Sequence, residues 1–269
     1  MIPVSDVDQR RAGFSRRKVL LATLAAAPLG CRRPRPSAWH AAAAAGAPAW
    51  GGLEVVRVSD MREDEGGGHA VIVLHGWGAP GDDLVPLAHE LQRPGVRFFV
   101  PAAPLPEVGG GRAWWHLDPR TRPPHAESDR VPAGFRPNAD VVAARGAVQG
   151  LLATVRERYA PATVSLVGFS QGAMLSIDVA LAGAAVDRVA AMSGALLVES
   201  VPGLSPPRAT RPRFLLTHGR QDPVVPFASG GRAKELLEKH GFAVTWRPFD
   251  GGHEIPPSLV ADGQRFLFS

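Results

Sequence analysis

The sequence predicts a single α/β domain: a mostly parallel central sheet with helices on both faces. Three observations carry this expectation. Short apolar runs alternate with segments of helical period from about residue 50 to the end of the chain. One of those runs, Ala-Val-Ile-Val-Leu at 70–74, is continuous and suits a strand covered on both faces, as in a parallel sheet. No linker divides roughly 220 residues, a size that one domain accommodates.

The elements follow in chain order. Residues 53–58 read as a short strand and 70–74 as a fully buried one, ending at His75-Gly76. Asp82 and Asp83 precede Leu84, Leu87, Ala88 and Leu91, which is helical spacing with an aspartate as the expected N-cap. Residues 96–100 form the next strand, closed by Pro101. Residues 104–136 are a long Pro/Gly-rich stretch holding Trp114 and Trp115, expected as a loop. Asn138 or Asp140 starts a helix whose apolar positions are Val141, Val148, Leu151, Leu152 and Val155. Strands at 164–167, 189–192, 214–217 and 243–246 alternate with helices at 173–181, 234–240 and 258–268.

Composition narrows the class. The chain has 269 residues, 45% hydrophobic and 20% charged, an ordinary globular balance. A lone cysteine, Cys31, excludes an intrachain disulfide and a cysteine-based metal cluster. The net charge of +5 is unevenly spread. Residues 1–50 hold eight Lys/Arg and two Asp, a balance of +6, which leaves residues 51–269 at −1. The domain itself therefore has no electrostatic reason to seek nucleic acid.

The basic segment looks like an export signal. Arg16-Arg17-Lys18 precedes an apolar run over 19–29, too short to span a bilayer and similar to a twin-arginine leader. Ala45-Gly46-Ala47 offers a cleavage site; Leu29-Gly30-Cys31 offers instead a lipoprotein box that would anchor the chain through lipidated Cys31. Residues 1–47 are thus expected as leader and linker, 50–269 as the catalytic domain, and the protein as periplasmic, secreted or membrane-anchored.

In open α/β sheets chemistry sits beyond the carboxyl ends of strands. After the strand at 164–167 stands Gly168-Phe169-Ser170-Gln171-Gly172, a Gly-x-Ser-x-Gly turn that lifts a serine above the sheet at a helix N-terminus. A serine hydroxyl needs a base. Asp222 follows a later strand and His253 the next, giving the order Ser…Asp…His that this motif requires. His253 would take the Ser170 proton, and Asp222 would fix the tautomer and stabilise the imidazolium. The alternative acid, Asp250, is expected to shape the turn instead. Glu254 is expected to be solvated or to hold that loop, and His218 to be a satisfied turn histidine. Acyl transfer also needs oxyanion donors. The backbone amides of Gln171 and Trp77, the latter in Leu74-His75-Gly76-Trp77-Gly78, are the candidates.

Taken together, Leu74–Gly78, Gly168–Ala173, His218-Gly219-Arg220-Gln221-Asp222-Pro223-Val224-Val225-Pro226 and Gly252-His253 resemble the phospholipase/carboxylesterase family, the lidless α/β-hydrolases that include acyl-protein thioesterases. Pro101-Ala102-Ala103-Pro104 and Ala113-Trp114-Trp115 are similar to that family's following segment. The resemblance spans roughly 70–260 and implies cofactor-free hydrolysis of carboxylic esters or thioesters, with Ser170, Asp222 and His253 as the triad and Trp77 and Gln171 as the oxyanion hole. His116 departs from the family, which often has an aspartate there. Trp114 and Trp115 are expected to line an acyl pocket or to pack the loop onto the domain. The substrate class is a small-molecule ester or lipid-like ester. Thioesterase, lysophospholipase, peptidase and dienelactone-like activities remain open on the same triad, as does an idle exported binding protein. No metal or other cofactor is called for.

Overall fold

The computed structural model describes residues 50–62, 64–118, 123–205 and 211–269. The twin-arginine segment, Cys31 and Ala45-Gly46-Ala47 lie outside the described residues. Seven strands form one sheet: β1 (Val55–Ser59), β2 (His69–Leu74), β3 (Val96–Pro101), β6 (Thr163–Phe169), β7 (Arg188–Met192), β8 (Arg213–Gly219) and β9 (Val244–Phe249), in the spatial order β1-β3-β2-β6-β7-β8-β9. Only β1 runs antiparallel, pairing with β3 at the edge. The helices are α1 (Val85–Leu91), α2 (Ala139–Tyr159), α3 (Gln171–Leu181), α4 (Phe227–Lys239) and α5 (Ser258–Phe268).

The apolar runs become the central strands because both of their faces are covered. Residues 70–74 of β2 are all buried, as are the last six residues of β6. On one face α2, α3 and α4 enclose Ile72, Leu74, Leu166, Phe214 and Leu216. On the other, α1 and α5 enclose Val71, Val73, Phe98, Val167 and Leu215. The chain passes from β2 outward to β3 and then back across β2 to β6. That reversal opens a crevice beyond the carboxyl ends of β2 and β6, where the His75-Gly76 and Ser170 turns emerge.

The element boundaries depart from expectation. The helix expected over 234–240 begins seven residues earlier, at Phe227, because Gly230, which reads as a breaker, is kept inside α4 by its close packing on His218. No aspartate caps α1. Leu84 occupies the cap position with a hydrocarbon side chain that can make no cap bond and is instead drawn into the core at 4% exposure. The preceding Asp83 instead turns a carboxylate oxygen inward, without a hydrogen-bond partner among the described residues. The stretch expected as loop also contains a small hairpin, β4 (Leu105–Pro106) with β5 (Arg112–Ala113). Two-residue strands carry no periodic signal, so sequence could not show it. At α2 the choice resolves to Asn138, whose side-chain oxygen accepts from the amides of Asp140 and Val141 at 2.9 and 3.2 Å.

Candidate active site

The turn after β6 has to reverse direction within one residue. Ser170 adopts φ 55°, ψ −118°, a conformation costly for a residue with a Cβ. Its amide donates to the Met192 carbonyl at 2.9 Å, and its carbonyl accepts from Ala173 and Met174, so the strain is held from both sides. Gly76 passes directly beside it, since a Cβ on Gly76 would lie 3.2 Å from the Ser170 Cβ. The backbone at Gly76 therefore runs beside the serine.

Two later strands supply the remaining members. After β8 the chain forms a tight turn in which one carboxylate oxygen of Asp222 accepts from the amides of Val224 (2.8 Å) and Val225 (2.9 Å). After β9 the Asp250–His253 loop folds over Gly219, with the Gln221 amide donating to Gly251 O at 3.0 Å. A Cβ on Gly219 would stand 2.1 Å from Gly252 O, so only glycine lets the two loops touch. This closure brings His253 between the other two residues. Its Nδ1 lies 2.7 Å from the second Asp222 oxygen and its Nε2 2.9 Å from Ser170 Oγ. A carboxylate can only accept, so Nδ1 carries the proton and Nε2 offers a lone pair to the serine hydroxyl. The Asp222 side chain is fully buried and that of His253 is 10% exposed. Phe169 supports the imidazole from the side, with ring centroids 4.8 Å apart.

The rival acidic groups fall elsewhere. Asp250 is solvent-exposed and faces Arg220 at 3.4 Å. Glu254 accepts from the Gly252 amide at 3.3 Å and so holds the loop. His116 pairs with Glu107 at 3.1 Å. No three His, Cys, Asp or Glu side chains among the described residues stand where they could hold a metal ion.

Trp114 and Trp115 pack into the core at 0% and 1% exposure, and so present no surface to a ligand in this structure. Their polar groups are absorbed by the site's framework. The Gln171 side chain accepts from the Trp114 amide at 3.0 Å and donates to the Trp115 carbonyl at 2.7 Å. The Trp114 indole donates to the His75 carbonyl at 2.9 Å. His75 is itself buried. Its Nε2 accepts from the Ala103 amide at 2.9 Å, so its Nδ1–H donates to Gly76 O at 2.7 Å. Burial lowers its pKa to about 4, keeping the ring neutral. The hairpin adds two main-chain bonds, Gly78 amide to Arg112 carbonyl and Arg112 amide to Ala79 carbonyl, both 2.8 Å. The side-chain work of Gln171 and His75 was not anticipated. The available signal was that a His-Gly pair closes both β2 and β8.

Comparison with known proteins identifies the family. The model of the phospholipase/carboxylesterase family matches residues 53–268. The acyl-protein thioesterase 1 of Emericella nidulans is 26% identical over 215 residues, covering 73% of this chain and 88% of that protein. The acyl-protein thioesterase 1 of Gibberella zeae is 30% identical over 112 residues, 40% of this chain; the aligned part spans about half (48%) of that relative's length. Among solved structures, esterase PE8 superposes with a TM-score of 0.65 at 28% identity, covering 80% of this chain and 97% of its own. Since the family match takes in every strand of the central sheet and the turns bearing Ser170, Asp222 and His253, the chain belongs to the phospholipase/carboxylesterase family.

Proposed function

We infer that the protein is a serine hydrolase that cleaves carboxylic esters through an acyl-enzyme. The observation that carries this reading is the continuous relay Ser170 Oγ–His253–Asp222, at 2.9 and 2.7 Å. Ser170 attacks the ester carbonyl while His253 Nε2 takes its proton. Asp222 holds the Nδ1–H and stabilises the imidazolium that forms. The main-chain amides of Trp77 and Gln171 receive the oxyanion; loss of one such donor costs roughly 3–4 kcal/mol of barrier. The imidazolium then protonates the departing alkoxide, and a water activated by the same histidine releases the acid. The substrate is a small-molecule or lipid-like ester.

A series of p-nitrophenyl esters of increasing acyl length tests this. The native protein is expected to release nitrophenolate and to be labelled by a fluorophosphonate. Ser170→Ala is expected to lose kcat by roughly 10^5-fold or more while remaining folded. Hydrolysis undiminished in that variant would overturn the reading. The two fungal relatives favour a second reading on the same triad, a thioesterase. An acyl-thioester offered beside the matching oxygen ester separates the two by kcat/KM.

The proposal extends to the leader. Residues 1–47 direct export, so that the enzyme works outside the cytoplasm. The mass of the mature N-terminus decides between cleavage after Ala47 and a lipidated Cys31.

A further inference from the structure

The triad acid faces a second histidine. His218 is fully buried at the end of β8, and its Nε2 lies 2.9 Å from the Val225 carbonyl and 3.4 Å from the Asp222 oxygen that also receives His253. A carbonyl can only accept, so His218 carries its proton on Nε2 and donates it to the Val225 carbonyl, one side of a fork whose other side is the Asp222 oxygen. Val225 is thereby held twice, because its amide already donates to the other Asp222 oxygen. Behind the ring, α4 closes tightly: a Cβ on Gly230 would stand 2.4 Å from His218 Nδ1. Phe227 meets the ring edge-on, with centroids 5.9 Å apart. The Nδ1 atom has no hydrogen-bond partner among the described residues.

We propose that His218 is a positioning residue for the hydrolytic reaction, a neutral Nε2–H donor that fixes the Asp222 turn and so the aim of His253 at Ser170. The chemistry favours this role over that of a mere turn filler. Two main-chain amides and His253 bond the two Asp222 oxygens, and the buried His218 stands 3.4 Å from one of them. A second imidazolium at this carboxylate would compete with the one that forms on His253. Burial lowers the pKa of His218, which leaves the carboxylate charge to His253. This inference rests on the hydrolase reading above.

The test compares His218→Gln, His218→Asn and His218→Met with the native protein, using a p-nitrophenyl ester and measuring kcat, KM and thermal stability. Glutamine places an amide N–H close to the Nε2 position; asparagine is too short to reach the fork; methionine fills the space without a donor. The expected result is that Gln keeps kcat within about threefold, while Asn and Met lower it roughly tenfold or more with KM nearly unchanged. If methionine prevents folding, the Gln–Asn contrast still decides. Equal kcat in Gln and Asn variants, or losses that track stability and not the donor, would overturn the proposal. A native protein inactive on every ester would instead sink the hydrolase reading, so the two failures are distinguishable.

Discussion

Gly172 packs its Cα against the main-chain carbonyl of Leu74, so closely that a Cβ there would stand 2.0 Å from the oxygen. The start of α3 thus rests on the end of β2, and the serine turn and the His75-Gly76 turn share one scaffold. Gly172→Ala forces these backbones apart. It is expected to cost about 1–3 kcal/mol of stability and to lower ester hydrolysis by more than tenfold, through displacement of Ser170. Gly146 is the control: it lies exposed in α2 with nothing within 4 Å of an added Cβ. Gly146→Ala should raise stability by about 0.4–1 kcal/mol and leave kcat alone. Denaturant midpoints and kcat on the same preparations check both.

The Gln171 side chain joins the residue after the nucleophile to the Trp114-Trp115 segment. Gln171→Ala keeps the main-chain amide at that position but strands a buried N–H and a buried carbonyl. Each unpaired group costs about 1–3 kcal/mol, so the variant should lose on the order of 2–4 kcal/mol by urea unfolding. Its kcat should fall while KM holds, because the amide remains present but is less firmly aimed. An unchanged kcat would separate the side chain from the chemistry.

A buried ion pair ties α2 to α3. Arg145 donates to both oxygens of Asp178, at 2.6 and 2.9 Å, and the Ser200 hydroxyl adds a third bond at 2.8 Å. Asp178 is wholly buried. Arg145→Ala would leave that carboxylate without its counter-charge and should cost about 3–5 kcal/mol. Replacing both partners by apolar residues, Arg145→Met with Asp178→Leu, should be far milder than the single change. Denaturant unfolding of the three proteins measures the difference.

Stability should fall in acid. Burial lowers the pKa of His69 and of His75 from 6.5 to about 4. Between those values the unfolded chain binds protons that the folded chain refuses. The contribution of each is therefore full above pH 6.5 and is lost as the pH falls towards 4. Asp83 acts in the opposite sense. Burial raises its pKa from 3.8 to about 6, so its contribution is full below 3.8 and is lost as the pH rises through 6. His69, His75 and His218 act in one sense against Asp83 and Glu199 in the other, and the large shifts of His69 and His75 give a urea midpoint lower at pH 4.5 than at pH 7. Asp83→Asn removes one of the opposing groups. It should gain about 1–3 kcal/mol at pH 8 and gain nothing near pH 3.5.

Local chemistry was legible wherever a residue's role is set by its own neighbours in the chain. The apolar run that became β2 declared its burial on both faces. The start of α2 was narrowed to Asn138 or Asp140, and α5 was expected over the residues it occupies. Gly168 to Gly172 marked the tight turn that carries Ser170 because that geometry depends on five consecutive residues. The α1 start misled because Leu84 answers to the core, and its burial moves the aspartates out of capping range.

The structure brings together Ser170, Asp222 and His253, to which the Gly-x-Ser-x-Gly turn and the chain order pointed, since the strands that carry them end on one edge of a parallel sheet. Side-chain roles that reach across the domain had no such trace. The clamp of Gln171 on Trp114 and Trp115, the burial of those tryptophans, and the turn of His218 toward Asp222 arise only when segments more than fifty residues apart, or a strand end and its following loop, close on each other. Sequence thus determined which backbone turns exist and which reactive groups they bear. Packing decided which polar groups are left to hold those turns, because a buried donor or acceptor must take whatever partner the fold brings within reach.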